Sequence, residues 1–148
     1  MDSRETAFVD SFFDPRRRAR FRAFASSKKR RVKFLSELYH LCWLLDPRYS
    51  QEVPSSADAL HSLRSEGAPD LCYVMSNVAE LDGREMPLQE AIEAADAAEM
   101  MGTVVDCIPG RLAYYSGEGA EGQMILRRPA NQPMHADGAS PAADRHAR

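Results

Sequence analysis

Three short runs rich in β-branched, aromatic and other large apolar residues follow one another in the C-terminal half, and they constrain the fold more than any other feature. The runs are TVVDCI (103–108), RLAYYS (111–116) and QMILRR (123–128), separated by Pro109-Gly110 and by the glycine-rich loop GEGAEG (117–122). Strands joined by such short connections run antiparallel, because a parallel crossover needs a dozen residues or more. The sequence therefore predicts a three-stranded antiparallel meander.

Helical patterns dominate the chain before the meander. Asp14-Pro15 has the form of a helix start, and the apolar spacing that follows ends near Asp46-Pro47. Ser26-Ser27 interrupts this pattern, so residues 14–45 are expected to form one basic helix or a helix pair. Ser55-x-x-Asp58 resembles a capping box that opens a second helix.

The remaining elements complete an α+β reading. Pro87 opens a third helix, PLQEAIEAADAAEMM, and LCYVMS (71–76) reads as a short buried strand. The segment ELDGRE (80–85) is predicted to be a turn. We expect a single domain in which a helical N-terminal half packs on a small, mainly antiparallel sheet.

Length and composition set the domain limits. The chain has 148 residues, enough for one domain with a core. We assign residues 1–13 to an N-terminal arm, residues 14–128 to the domain, and residues 129–148 to a tail whose composition predicts disorder. The start lacks the pattern of a signal peptide, and no apolar run is long enough to span a membrane. Three widely spaced cysteines favour reduced thiols, so the expected location is the cytoplasm.

Positive charge is concentrated near the N-terminus. Residues 1–36 carry eleven Lys and Arg against four Asp and Glu, whereas the rest of the chain carries eight against eighteen. On a single helix of 100° per residue, most of the cations would lie opposite an apolar side made by Phe21, Phe24, Ala25, Val32 and Leu35. The residues predicted to bind an anionic partner are Arg16, Arg17, Arg18, Arg20, Arg22, Lys28, Lys29, Arg30, Arg31 and Lys33.

Three interpretations of this basic segment stay open. It would bind the phosphate backbone of a nucleic acid, or an acidic surface of a partner protein, or it would be neutralised within the molecule by the acidic outer face of the 87–101 helix. An anionic membrane is disfavoured, because the apolar side is needed for packing.

Chemistry of other kinds finds little support. No CxxC or HxxxH spacing predicts a metal site, GEGAEG lacks the Lys-Ser/Thr of a phosphate-binding loop, and no nucleophile signature is present. We predict no cofactor, no metal and no catalytic residue. The alternative is a small enzyme or ligand-binding protein that uses Asp106, Arg111 and Tyr115. If strands 103–108 and 111–116 pair, Asp106 lies opposite Ala113 with the other two as diagonal neighbours.

The sequence thus favours a binding or regulatory module over an enzyme. Its basic N-terminal segment would contact an anionic partner, either a nucleic acid or an acidic protein surface. No sequence pattern indicates an oligomeric state.

Overall fold

A six-stranded antiparallel sheet organises the chain. The computed structural model describes residues 3–25, 27–98, 101–117 and 122–129. Within these ranges the α-helices are α1 (Ser3–Phe12), α2 (Arg18–Ala25), α3 (Lys28–Glu37), α4 (Ser56–Ser65) and α5 (Leu88–Ala97). The strands are β1 (Ser50–Glu52), β2 (Leu71–Ser76), β3 (Glu85–Pro87), β4 (Thr103–Ile108), β5 (Leu112–Ser116) and β6 (Gln123–Arg127). Short 3-10 segments cover Pro15–Arg17, Leu38–Trp43 and Pro47–Tyr49.

The strand order confirms the predicted meander and extends it. The sheet runs β1-β6-β5-β4-β2-β3, and every neighbouring pair is antiparallel. Strands β4, β5 and β6 are consecutive, and Asp106 lies opposite Ala113 as the sequence predicts. The α+β prediction is confirmed. The sequence did not predict β1 and β3, because three residues are too short to show an alternating pattern.

Helices cover both faces of the sheet. Alternate residues of a strand point to opposite faces, so neighbours such as Val104 and Val105 belong to different core clusters. One cluster joins a sheet face to α1, α2, α3 and the 3-10 segment Leu38–Trp43. The other cluster joins the opposite face to α4 and α5. The sheet therefore separates the basic N-terminal helices from the acidic helix α5.

The first residues belong to this core, which differs from the N-terminal arm we assigned to residues 1–13. Helix α1 buries Phe8, Val9 and Phe12 completely or almost completely. These positions recur at the spacing of one helix face. The domain consequently includes α1, and its assigned start at residue 14 is wrong.

Side-chain caps fix where the helices begin. The Ser55 hydroxyl accepts a hydrogen bond from the Asp58 N–H at 3.2 Å, which confirms the predicted cap of α4. Asp14 caps the 3-10 turn Pro15–Arg17, and Ser27 caps α3 by accepting from the Arg30 N–H at 3.2 Å. The basic segment is therefore a pair of helices and not one continuous helix.

Two predictions fall largely outside the described part of the chain. Residues 118–121 contain most of the glycine-rich loop, and residues 130–148 contain nearly all of the predicted tail. The pairing of Ser116 with Gln123 and the bond from the Gly117 N–H to the Gly122 carbonyl at 2.8 Å place this loop between β5 and β6. The predicted disorder of the tail stays a prediction.

Candidate anion-binding surface

Phenylalanine side chains orient the basic helix pair. Phe21 in α2 and Phe34 in α3 are buried and face each other across 6.3 Å between ring centroids. Both also contact Phe13, at 4.9 and 6.5 Å. Because the aromatic side of each helix is held in the core, most of its charged side chains must point to solvent.

Three of the predicted arginines are engaged inside the molecule. Arg18 is buried, and its Nε donates to the Phe13 carbonyl at 3.1 Å. Arg22 donates to the Asp10 carboxylate of α1 at 2.5 Å. Arg31 is half-buried and binds two carboxylates. All three side chains make contacts that hold the helices together, although Arg22 is also half-exposed, so we treat them separately from the cations that form no ion pair.

Arg31 has the most extensive of these contacts. One guanidinium nitrogen donates to both oxygens of Glu5, with Oε2 at 2.6 Å, and the other donates to both oxygens of Asp82 at 3.0 Å. Asp82 also accepts from the Ser76 N–H at 3.1 Å, at the end of β2. Burial would lower the pKa of Arg31, but the hydrogen bonds to Glu5 and Asp82 outweigh it and raise the pKa. Arg31 thus ties α1 and α3 to the turn between β2 and β3.

Arg16 is paired locally and stays in solvent. Its side chain is 87% exposed, and it donates to the Asp14 carboxylate at 2.9 Å. The hydrogen bond from Arg16 is the main reason that the pKa of Asp14 falls to about 2. Asp14 therefore keeps its charge, and with it the cap of the Pro15–Arg17 turn, at any physiological pH.

The remaining predicted cations form the outward surface. All six side chains are exposed and none forms an ion pair with a described carboxylate, although Arg17 is close enough to Asp14 to help lower the pKa of that carboxyl. We call this set the cationic face, and its members are Arg17, Arg20, Lys28, Lys29, Arg30 and Lys33. The basic segment thus contains arginines that bind carboxylates or a carbonyl of the same molecule, and six surface cations that form no ion pair with a described residue.

Two members of the cationic face converge on one aromatic ring. The Arg20 guanidinium of α2 lies 5.2 Å from the centroid of Phe24, and the Lys33 ammonium of α3 lies 5.6 Å from the same centroid. The ring attracts each cation through its quadrupole. Two positive charges from different helices are consequently held on one small area of surface.

The start of α3 adds a third concentration of charge. Lys28, Lys29 and Arg30 occupy its first turn, and no acidic residue lies there. The helix macrodipole makes this end positive already, so cations are locally unfavourable at such positions. The unbound backbone N–H groups and the side chains together give a strongly positive end.

Internal neutralisation by the 87–101 region is not favoured by this layout. Leu88, Ala91 and Ile92 of α5 pack on the face of the sheet opposite to the one that Phe21 and Phe34 approach. Glu90 and Glu93 are exposed on the far side of α5. The sheet therefore lies between these carboxylates and the cationic face.

The alternative cluster is not assembled as one site. Asp106 and Tyr115 lie on the same sheet face, but the Tyr115 hydroxyl donates to the Leu38 carbonyl at 2.7 Å. Asp106 is buried and lines a cavity of about 210 Å³ beside the ion pair of Arg4 with Glu85. Arg111 is exposed at the β4–β5 turn and forms no ion pair with a described residue. The contacts described here do not join these three residues, and a ligand site built on them stays a prediction.

Val32 and Trp43 are exposed near the cationic face, and the sequence pattern predicts neither exposure. Val32 is 70% exposed although it was expected on the apolar side, because the new start at Ser27 changes the phase of the helix. Trp43, the single tryptophan of the chain, is 76% exposed. Its apolar context, LCWLL, gave no signal of exposure, since Leu41, Leu44 and Leu45 are all buried.

Comparisons with known proteins add no assignment. No family model, curated protein sequence or solved structure matches this chain. Among the described residues, no group of three or more His, Cys, Asp or Glu side chains is arranged to hold a metal ion. No described helix is both long and apolar enough to cross a membrane. The function is therefore argued from the cationic face itself.

Proposed function

We propose that this protein binds a nucleic acid through its cationic face, as a binding module and not as an enzyme. The observation that carries the proposal is the division of the basic segment. Asp14 binds Arg16, Asp10 binds Arg22, and Glu5 and Asp82 both bind Arg31. The six outward cations form no ion pair with a described carboxylate.

The arrangement of the six cations supports a phosphate-rich partner. One cation lies in the Pro15–Arg17 turn, one lies in α2, and four lie in the first two turns of α3. The set therefore extends over three elements. Lys and Arg spread along a surface in this way neutralise successive phosphates and release condensed counterions. Such contacts position the nucleic acid backbone without reading its sequence.

The unfavourable placement of charge also supports a function. Three cations in the first turn of α3 oppose the macrodipole, and each would weaken the isolated helix by about 0.3–1 kcal/mol. Local choices that disagree with the fold are expected mainly at functional sites. A face that only contacts solvent would not account for three successive cations that weaken the helix.

An acidic protein surface fits less well. Stable protein interfaces have a buried apolar or aromatic centre surrounded by a polar rim. Near the cationic face two large apolar side chains of the described residues are strongly exposed, Val32 in α3 and Trp43 at the end of the 3-10 segment Leu38–Trp43, and they lie on separate elements and not in one apolar centre. An acidic protein therefore remains an outcome of the test and not the proposal.

The test compares two triple variants of equal net charge. The first, K28Q/K29Q/R30Q, removes three members of the cationic face. The second, R64Q/R84Q/R111Q, removes three exposed arginines outside the cationic face that have no described carboxylate partner. Fluorescence anisotropy with labelled DNA and RNA would be measured from about 50 to 200 mM salt, where phosphate contacts weaken strongly.

We expect the first variant to bind at least about 10-fold more weakly at the lowest salt. The slope of log K against log salt should flatten by about 0.9 for each phosphate contact that is lost in duplex DNA. The second variant should retain most of the affinity. Equal losses in both variants would show attraction to net charge alone, and no binding of the unmodified protein at low salt would rule out the proposal.

A further inference from the structure

We infer that Trp43 is a stacking platform for an unpaired base, which makes the preferred ligand a single-stranded nucleic acid. This inference rests on the proposed function and adds the class of ligand. It is argued from three features of Trp43: its place beside the basic turn, its exposure, and the rigidity of the backbone that holds it.

Main-chain hydrogen bonds place Trp43 next to exposed arginines. The Asp14 N–H donates to the Leu44 carbonyl at 2.9 Å, and the Asp46 N–H donates to the Phe12 carbonyl at 2.8 Å. Phe13 and Leu45 form an antiparallel bridge between these bonds. Beyond this bridge both segments turn into 3-10 helices, so Trp43, which directly precedes Leu44, lies near the turn Pro15–Arg17 that carries Arg16 and Arg17.

The indole ring is exposed on a well-anchored segment. Trp43 is 76% exposed, whereas Leu41, Leu44 and Leu45 on either side of it are buried in the core. The Leu44 N–H also donates to the Leu41 carbonyl at 2.8 Å. The ring is therefore presented by a backbone that packing and hydrogen bonds hold in place, and the core does not depend on it.

A flat exposed aromatic ring beside cations matches the chemistry of an unpaired nucleotide. The base can stack on the indole while its phosphates contact the neighbouring guanidinium groups. Bases within a duplex are already stacked and paired, so they do not reach a ring on a protein surface. The cations thus favour binding of a polyanion, and Trp43 favours a polyanion that has unpaired bases.

The single tryptophan makes the test direct, because all tryptophan fluorescence reports on Trp43. The unmodified protein would be titrated with oligothymidylate, oligouridylate, an abasic oligodeoxyribose phosphate of the same length, a DNA duplex and polyglutamate. We expect the two base-containing single strands to quench the fluorescence strongly. The abasic strand and the duplex should bind through the cationic face with little quenching.

Two variants complete the experiment. W43A should weaken binding of oligothymidylate by about 5- to 100-fold, the equivalent of one stacked base, and should leave binding of the abasic strand unchanged. W43F should restore most of the loss, because phenylalanine keeps a stacking ring. Circular dichroism of W43A would check the fold, which is expected to persist because the ring is exposed.

The outcomes separate the two proposals. Salt-dependent binding of all nucleic acids, with no quenching and no effect of W43A, would overturn the stacking inference and leave the proposed function standing. Polyglutamate bound as tightly as oligothymidylate would also overturn it, since bases would then contribute nothing. No binding of any nucleic acid would overturn both.

Discussion

At the scale of single residues, Gly102 depends on its lack of a side chain for two reasons, its backbone angle and the backbone packed against it. Its φ of +78° lies in the left-handed region, and a Cβ built there would lie 2.3–2.5 Å from backbone atoms of Leu38 and Tyr39. The Tyr115 hydroxyl binds the Leu38 carbonyl close by. Gly102 and Tyr115 together fasten the sheet to the segment that follows α3.

We predict that G102A destabilises the protein far more than G83A. Gly83 has the same φ of +78° but no atom within 4 Å of a built Cβ, so its substitution isolates the backbone strain of about 1–2 kcal/mol. G102A adds a steric clash with rigid backbone, for which a further 1–3 kcal/mol is expected. Urea unfolding of both variants measures the difference. Equal losses would mean that Leu38 does not approach Gly102 so closely.

At the scale of elements, α3 is in conflict with its own dipole. Its first turn carries cations where acidic side chains are favourable, and its N-cap Ser27 compensates only one N–H group. The helix is held mainly by Phe34 and Arg31, which reach the core and the internal carboxylates. Tertiary contacts therefore determine this helix more than its local sequence does.

We predict that K29E stabilises the protein and weakens nucleic acid binding at the same time. A carboxylate in the first turn interacts favourably with the helix N-terminus, for a gain of about 0.3–1 kcal/mol at low ionic strength. The control is K33E, which makes the same charge change in the second turn, where the dipole is weak, and K33Q measures separately the loss of the Lys33 contact with the Phe24 ring. K33E should weaken binding without the gain in the free energy of unfolding. A stability of K29E no higher than that of the unmodified protein would contradict this explanation.

The elements also show how far the sequence could be interpreted. Strands β2 and β4 were placed at their observed bounds, and β5 and β6 within one residue, because each is a mostly buried run rich in apolar residues between turn residues. The N-terminal helix α1 was missed, since its short apolar pattern was read without the partners that bury it. The break at Ser27 was anticipated, but its effect on the phase of Val32 was not.

The sequence predicted where the candidate surface lies but not which residues belong to it. Charge density alone identified residues 16–33, and local sequence could not show which arginines find internal partners. Arg31 binds Asp82, which is 51 residues away in the chain. Trp43 was missed for a similar reason, because its exposure depends on the pairing of residues 12–14 with residues 44–46.

At the scale of the whole molecule, the charge asymmetry of the sequence becomes an asymmetry across the sheet. The cationic face lies outside α2 and α3 on one side, and Glu90 and Glu93 lie outside α5 on the other. Two packed layers of about 10 Å each separate these charges. The Debye length is about 8 Å at physiological salt, so the two surfaces are electrostatically independent there.

We predict that E90Q/E93Q has a salt-dependent effect on binding of nucleic acid. At about 0.15 M salt the affinity should change less than about two-fold, because screening isolates the far side of the sheet. At about 0.01 M salt the Debye length reaches about 30 Å, and removal of the two negative charges should raise the affinity several-fold. Anisotropy titrations at both salt concentrations measure this. A large effect at 0.15 M would mean that the ligand reaches around to α5.

The outermost strands are short, and this limits edge-to-edge pairing between the sheets of two molecules. β1 and β3 form the two edges of the sheet, and each has only three residues. β3 ends in Pro87, which has no N–H to offer a neighbouring chain. An edge of this kind is a poor template for the strand-by-strand addition that leads to fibrils. A high local concentration of this protein would therefore find little opportunity for amyloid-like stacking through the edges of this sheet.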